Sequence, residues 1–246
     1  MNRAMIFAAG LGRRMLPLTG HTPKALIPVG GKPMLLRVID KLAAAGVVHM
    51  VINVHHHADQ VREFIDRLDI PGLRFDISDE SGELLDTGGG LTKAAALLGE
   101  DQAFFVYNAD ILSNIDLKDM AACHLRHRPL ATLAVSPRRA SRYFLWDSQG
   151  LAGWENAVNG QQILCEPPRR EPLRALAFSG IHLIEPAIFG LLEEQGAFPI
   201  RDVYLRLGSE HRIIPYQHDN RLWADIGSLQ KLRMAEEMIR DHPGMF

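Results

Sequence analysis

Met5-Ile6-Phe7-Ala8-Ala9-Gly10-Leu11-Gly12-Arg13-Arg14-Met15-Leu16-Pro17-Leu18-Thr19 is the stretch on which the rest of this 246-residue chain can be organised. An apolar run over residues 5–9 stops abruptly at Gly10 and Gly12, and two arginines follow at once. Short apolar runs ended by glycine read as buried strands entering a tight turn. Glycines there let backbone N–H groups approach a ligand closely, and such a concave run of amides suits an anion. The guanidinium groups beside it suit a pair of phosphate oxygens. Thr22-Pro23-Lys24 and Gly30-Gly31-Lys32-Pro33 add two more cations next to loop-forming residues. The alternative is a plain strand-to-helix connector. Met15 stands where the dinucleotide fingerprint needs a third glycine, and no Gly-Lys-Ser/Thr follows as in a Walker loop.

Outward from this turn, strand-like and helix-like runs alternate. Residues 50–54, 73–77, 103–107 and 130–135 read as further strands. A helix opens at Pro33 with Leu35, Val38, Ile39 and Leu42 at helical spacing and closes at Gly46. Others are expected over 58–68, 88–98 and 117–128. That alternation predicts an α/β fold, a Rossmann-like, mostly parallel sheet covered by helices on both faces, with ligands at the carboxyl ends of the strands. The turns 10–14, 53–57, 86–90 and 108–110 fall at those ends. Beyond 136 the pattern becomes β-rich: strands over 143–146 and 151–154 around Ser148-Gln149-Gly150, a loop or lid over 160–174, a strand over 177–184, a helix over 186–192, a strand over 213–217 and a last helix over 228–240. We read one domain, 1–246, dividing at about residue 136 into an alternating half (1–136) and a half with a β-rich sub-region for a second substrate (137–246).

Composition sets limits. Apolar residues make up 47% and charged residues 23%, and 27 Lys plus Arg balance 29 Asp plus Glu, as in an ordinary soluble globular protein. Neither a nucleic acid nor a membrane surface is indicated as a partner. Two distant cysteines, Cys123 and Cys165, fit a reducing compartment rather than a disulfide scaffold. With no signal peptide and no long apolar segment visible, we expect a cytoplasmic protein, a monomer or small homo-oligomer.

Several residues invite chemistry. Asp110 follows a strand in Tyr107-Asn108-Ala109-Asp110, and Asp225 follows a short strand in Leu222-Trp223-Ala224-Asp225. Two carboxylates from separate strand ends, completed by phosphate oxygens, suit Mg²⁺; alternatively each only caps its own turn or helix. Asp86-Thr87-Gly88-Gly89-Gly90 is costly at a helix start and would admit a flat nucleobase against bare backbone. Glu80 and Glu83, just upstream, are candidate acceptors for base or sugar groups. His55-His56-His57 reads as loop rather than metal site, because adjacent side chains diverge.

Taken together, Gly10, Gly12 and Arg14, then Pro17-Leu18-Thr19, Pro23-Lys24 and Lys32-Pro33 resemble the spaced signature of the sugar-1-phosphate nucleotidylyltransferases. The likeness continues through Thr87 to Gly90, Asn108 to Asp110, Phe178-Ser179-Gly180-Ile181 and Trp223 to Gly227. Thr87-Gly88-Gly89-Gly90 is most similar to the branch that joins UTP to N-acetylmuramate 1-phosphate. Branches acting on mannose 1-phosphate with GTP, or on glucose 1-phosphate with dTTP or UTP, are the alternatives, and a non-catalytic nucleotide-sugar-binding homologue is the alternative of another class. The resemblance implies transfer of a nucleotidyl group from a nucleoside triphosphate to a sugar 1-phosphate. It implies that Arg14 and Lys24 are catalytic and that Asp110 and Asp225 hold Mg²⁺. Nucleotide contacts are implied at Ala8, Ala9, Gly10, Gly12, Arg13, Asp86, Thr87, Gly88, Gly89 and Asn108, and sugar contacts at Asn156, Ser179 and Gly180. The family's Glu-Lys-Pro anchor is absent, since Glu166 precedes Pro167 and Pro168.

Overall fold

The computed structural model describes residues 1–168, 172–218 and 222–246. Its first half follows the alternation read above: β1 (Arg3–Phe7), β2 (Pro28–Val29), β3 (Lys32–Pro33), α1 (Met34–Ala44), β4 (His49–Val54), α2 (Ala58–Asp66), β5 (Arg74–Asp79), α3 (Asp86–Leu98), β6 (Phe104–Asn108), β7 (Ile111–Ser113), α4 (Leu117–His127) and β8 (Ala131–Ser136). The second half comprises β9 (Arg142–Trp146), β10 (Leu151–Asn156), β11 (Gln161–Leu164), β12 (Arg174–Ile184), α5 (Ile200–Leu207), β13 (Ile213–Gln217), β14 (Trp223–Asp225) and α6 (Leu229–Asp241).

A ten-stranded mixed sheet runs through both halves. Within it β5, β4, β1 and β6 are parallel neighbours, with Met5 between Val51 and Val106. β12 then pairs antiparallel with β6, β8 and β9, and β10 and β11 continue the antiparallel edge. Successive strand residues point to opposite faces, and β1 shows the result. Ala4, Ile6 and Ala8 pack with Leu35, Val38 and Leu42 of α1, whereas Met5 packs with Leu91, Ala94 and Leu98 of α3. A third apolar cluster matters more for the site. Met15, Ile27, Val29 and Met34 join Leu112 of β7, Ile226 and Ala235 of α6. It clamps the glycine turn to the strand pair β7–β14, and it explains why a buried methionine occupies position 15.

Several boundaries differ from the sequence reading. β1 ends at Phe7 rather than Ala9, which frees Ala8 and Ala9 for the turn. α3 starts two residues before Gly88. The expected helix over 186–192 is a 3-10 helix, Pro186–Leu191. The expected loop over 160–174 contains β11, which pairs with β10 and closes a hairpin; Arg169, Arg170 and Glu171 lie outside the described residues. Helix α5 had no expectation because its glycine-free start follows Pro199 without a capping side chain.

Candidate active site

A cavity of about 550 Å³ opens at the carboxyl ends of β1, β4 and β6, a size that suits a nucleotide. Its floor is the first turn. Asn53, buried in β4, holds that turn: its Oδ1 accepts from the Ala8 N–H at 2.7 Å and its Nδ2 donates to Glu80 Oε1 at 2.7 Å. Glu80 is itself fully buried, and its other oxygen accepts from the Leu85 N–H at 3.2 Å. This corrects the reading of Glu80 as a ligand acceptor. A buried carboxylate must be satisfied internally, and here it braces the cavity wall.

Beyond Ala8 the backbone changes character. The N–H groups of Ala9, Gly10, Leu11 and Gly12 donate to no acceptor among the described residues. Gly12 has φ +63°, and a side chain there would meet Thr19 at 2.8 Å. Thr19 closes the turn by donating to the Gly12 carbonyl at 2.9 Å. Gly10 has open space around its Cα. Successive unpaired amides of this kind form an anion-binding concavity. Arg13 and Arg14 are exposed, and neither has an ion-pair partner among the described residues.

The two aspartates meet next to this turn. In the antiparallel pair β7–β14, Asp225 lies opposite Ile111, and the Ile226 N–H donates to the Asp110 carbonyl at 2.9 Å. Lys24 forms an ion pair with Asp110, and Lys231 one with Asp225. Helix caps come from other residues. Asp116 caps α4 and Ser228 caps α6, although Asp225 Oδ1 also accepts from the Gly227 N–H at 3.0 Å. A side chain at Gly227 would meet Asp225 Oδ1 at 2.7 Å and Arg14 Nη2 at 3.0 Å. The bare Cα thus lets the Arg14 guanidinium lie beside the second aspartate. Among the described residues no three His, Cys, Asp or Glu side chains converge on a metal position. Two carboxylates completed by substrate oxygens would suit a hard divalent cation such as Mg²⁺.

Packing gives several other assigned residues a structural part. Gly88 and Gly89 are buried, and added Cβ atoms would meet the Phe198 ring at 2.2 Å and the Gly196 carbonyl at 2.2 Å. Their bare faces admit the 196–198 loop. The cavity wall at this end is made by Asp86, Thr87 and Ala197 instead. Thr87 Oγ1 accepts from the Ile200 N–H at 3.0 Å, tying α3 to α5. Of the residues assigned to the sugar, Asn156 turns its Oδ1 to the Val158 N–H at 3.0 Å within its own hairpin. Ser179 is fully buried and bonds His218 at 2.8 Å. Gly180, with φ +78°, leaves room for Ile111 and Asn108. Each of the three thus has a part in the local framework. The histidine run is loop, as read: His55 Nδ1 bonds the Glu80 carbonyl at 2.6 Å. Sequence reasoning passed over Asn53, Arg138 and Lys231; only Asn53, an amide inside an apolar strand, carried a signal.

This geometry has relatives. The chain belongs to the nucleotidyl transferase family, which matches residues 3–242. It is 32% identical to an N-acetylmuramate alpha-1-phosphate uridylyltransferase of Caulobacter vibrioides, over 97% of both chains. Identity to mannose-1-phosphate guanyltransferase beta-A of Xenopus laevis is 28%, over 92% of this chain and 61% of that one. Among solved structures, a putative glucose-1-phosphate thymidylyltransferase from Bacillus anthracis superposes with TM-score 0.81 at 19% identity, covering 97% of this chain and 95% of that one. A UDP-glucose pyrophosphorylase complexed with UDP-glucose superposes with TM-score 0.79 at 20% identity, covering 98% and 99%. The chain is an enzyme of this class, and its sheet is the nucleotide-diphospho-sugar transferase fold. No helix among the described residues is long and apolar enough to cross a membrane.

Proposed function

We propose that the enzyme joins UTP to N-acetylmuramate 1-phosphate, releasing pyrophosphate, with Mg²⁺ held by Asp110 and Asp225. The observation that carries the triphosphate end is the run of four amides, Ala9 to Gly12, that find no acceptor among the described residues, flanked by Arg13 and Arg14, which find no ion-pair partner among them. Whole-length likeness to an N-acetylmuramate alpha-1-phosphate uridylyltransferase supports the choice of substrates. The fold works as one transferase domain, with its nucleotide half over 1–136 and its sugar-phosphate half over 137–246. Nucleotide-triphosphate chemistry and two free cysteines support a cytoplasmic location.

The chemistry follows from charge. A sugar-phosphate oxygen attacks the α-phosphorus in line, and the bond to the pyrophosphate breaks. Both reactants are anions, so the protein contributes position and opposite charge rather than a covalent intermediate. The 9–12 amides and Arg14 hold the departing phosphates. Lys24, released from Asp110, neutralises the α-phosphate. Asp86, Thr87 and Asn108 enclose the nucleoside end of the cavity. Bound Mg²⁺ would supply a hard positive charge shared by both phosphates.

Pyrophosphate release measured across UTP, GTP, dTTP, ATP and CTP, each against N-acetylmuramate, mannose and glucose 1-phosphates, tests the proposal. UTP with N-acetylmuramate 1-phosphate should give the highest kcat/KM. Silence across the panel would replace the enzyme with a nucleotide-sugar-binding module, and preference for GTP with mannose 1-phosphate would move it to the guanylyltransferase branch.

A further inference from the structure

Strand β12 breaks its register beside the site. Its pairing with β8 runs through Phe178↔Val135 and resumes at His182↔Leu133, so residues 179–181 stand against the single position 134. The bulge swings β12 from β9, which it pairs at Arg174 to Leu176, to β6, which it pairs at Ile181 to Ile184. Bulges bend a strand and interrupt its ladder, and buried carbonyls there need other donors.

Arg138 and Trp223 supply them. Arg138 Nη1 donates to the Ala177 carbonyl at 2.9 Å and Nη2 to the Phe178 carbonyl at 2.6 Å. Nη1 also reaches Ser136 Oγ at 3.2 Å and Ser179 Oγ at 3.4 Å. Trp223 Nε1 donates to the Ser179 carbonyl at 2.9 Å. The Arg138 guanidinium lies over the Trp223 ring, 3.8 Å from its centroid, a cation–π stack. Trp223 opens β14, and Asp225 closes it. Three residues paired only to the three of β7 are too little sheet to hold their own position. The stack, with the Trp223 hydrogen bond and the packing of that ring on the sheet's core, fastens β14 to the large sheet on this side.

We propose that Arg138 is a positioning residue of the transfer site: by joining the β12 bulge to Trp223 it fixes where the Asp225 carboxylate stands relative to Asp110. The proposal rests on the metal assignment made above. Burial lowers the Arg138 pKa to about 10 and the Asp225 charge opposes that fall, so the guanidinium is charged at neutral pH and feels the carboxylate. Met at this position would keep the stem and lose every donor. Lys would keep the charge and one donor direction. Phe in place of Trp223 would keep the ring and lose its N–H.

The test is Mn²⁺ binding, read from its paramagnetic resonance signal with UTP present, for wild type, Arg138→Met, Arg138→Lys and Trp223→Phe, alongside KM for both substrates. Losing a residue that orients a metal ligand typically weakens metal affinity about 10- to 100-fold; Arg138→Met should fall in that range, with Arg138→Lys and Trp223→Phe between it and wild type. UTP affinity without metal should stay at the wild-type value. A folded Arg138→Met protein that binds Mn²⁺ as wild type does overturns the proposal; should Arg138→Met not fold, unchanged Mn²⁺ binding by Arg138→Lys and Trp223→Phe overturns it equally. A wild type that binds Mn²⁺ with UTP but transfers nothing refutes the function and leaves the clamp measurable. A wild type that takes up no Mn²⁺ overturns both.

Discussion

Replacing Gly88 by alanine separates two explanations of the glycine run. In an exposed helix the change would add about 1 kcal/mol of stability through propensity. Here the new Cβ would stand 2.2 Å from the Phe198 ring and 2.8 Å from its carbonyl oxygen. That oxygen accepts from the N–H groups of Gly88 at 2.8 Å and Gly89 at 3.3 Å. Overpacking a filled site costs about 1–3 kcal/mol, and each weakened hydrogen bond about 1 kcal/mol. Against the propensity gain, the net with both bonds weakened is a loss of about 2–4 kcal/mol. For a chain of this size each kcal/mol moves the midpoint about 2–4 °C, so thermal unfolding should begin several degrees lower. Gly82→Ala, where a Cβ meets nothing within 4 Å, is the control and should be near neutral. Urea unfolding gives the stability and calorimetric titration the UTP affinity. A Gly88→Ala protein as stable as wild type but about tenfold weaker for UTP, a difference of 1.4 kcal/mol, would restore the nucleobase reading and refute the packing one.

Asp110→Asn and Asp225→Asn should each fold and lose turnover by at least about 10²–10³, the usual cost of removing one transition-state stabiliser; activity near wild type with Mg²⁺ in either protein would remove that aspartate from the metal site. Acid should destabilise the fold through His182. Burial lowers its pKa from 6.5 to about 3, so the unfolded chain takes up a proton that the folded one does not. Its stability is intact above pH 6.5 and declines as pH falls from 6.5 toward 3. Between pH 7 and pH 5 the loss is about 2 kcal/mol by linkage. Urea midpoints at the two pH values should show it, and a folded His182→Gln protein with an unchanged pH slope would show that the histidine is not the cause.

Much of the fold was legible because its signals are local. The short, uninterrupted apolar run of β1 marks a strand buried on both faces, where Met5 and Ala4 divide between the two layers, and the 3.6 period of α1 states which of its faces is buried. The glycine turn was legible for the same reason: Gly10, Gly12 and the cations sit within a few residues of one another. The packing at the glycine run was not legible, because the sequence shows that a side chain is missing but not what fills its place. Phe198, which fills it at Gly88, is more than a hundred residues away. The same applies to Gly180, whose bare Cα faces Ile111 and Asn108, and to Glu80, whose full burial depends on Asn53 of a neighbouring strand.

What the sequence alone determined, then, is the layered α/β architecture, the glycine-and-cation turn at Gly10 to Arg14 and the two strand-end carboxylates, since backbone periodicity and turn chemistry need only neighbours in the chain. Which groups face the ligand was decided by the tertiary structure. Asn53 takes the Ala8 amide and leaves those of 9–12 unpaired, and the β7–β14 pairing brings Asp110 beside Asp225. Arg138 lies over a tryptophan on a distant strand. Those outcomes depend on which polar groups find partners and which remain available, and partners are assigned only when distant segments pack.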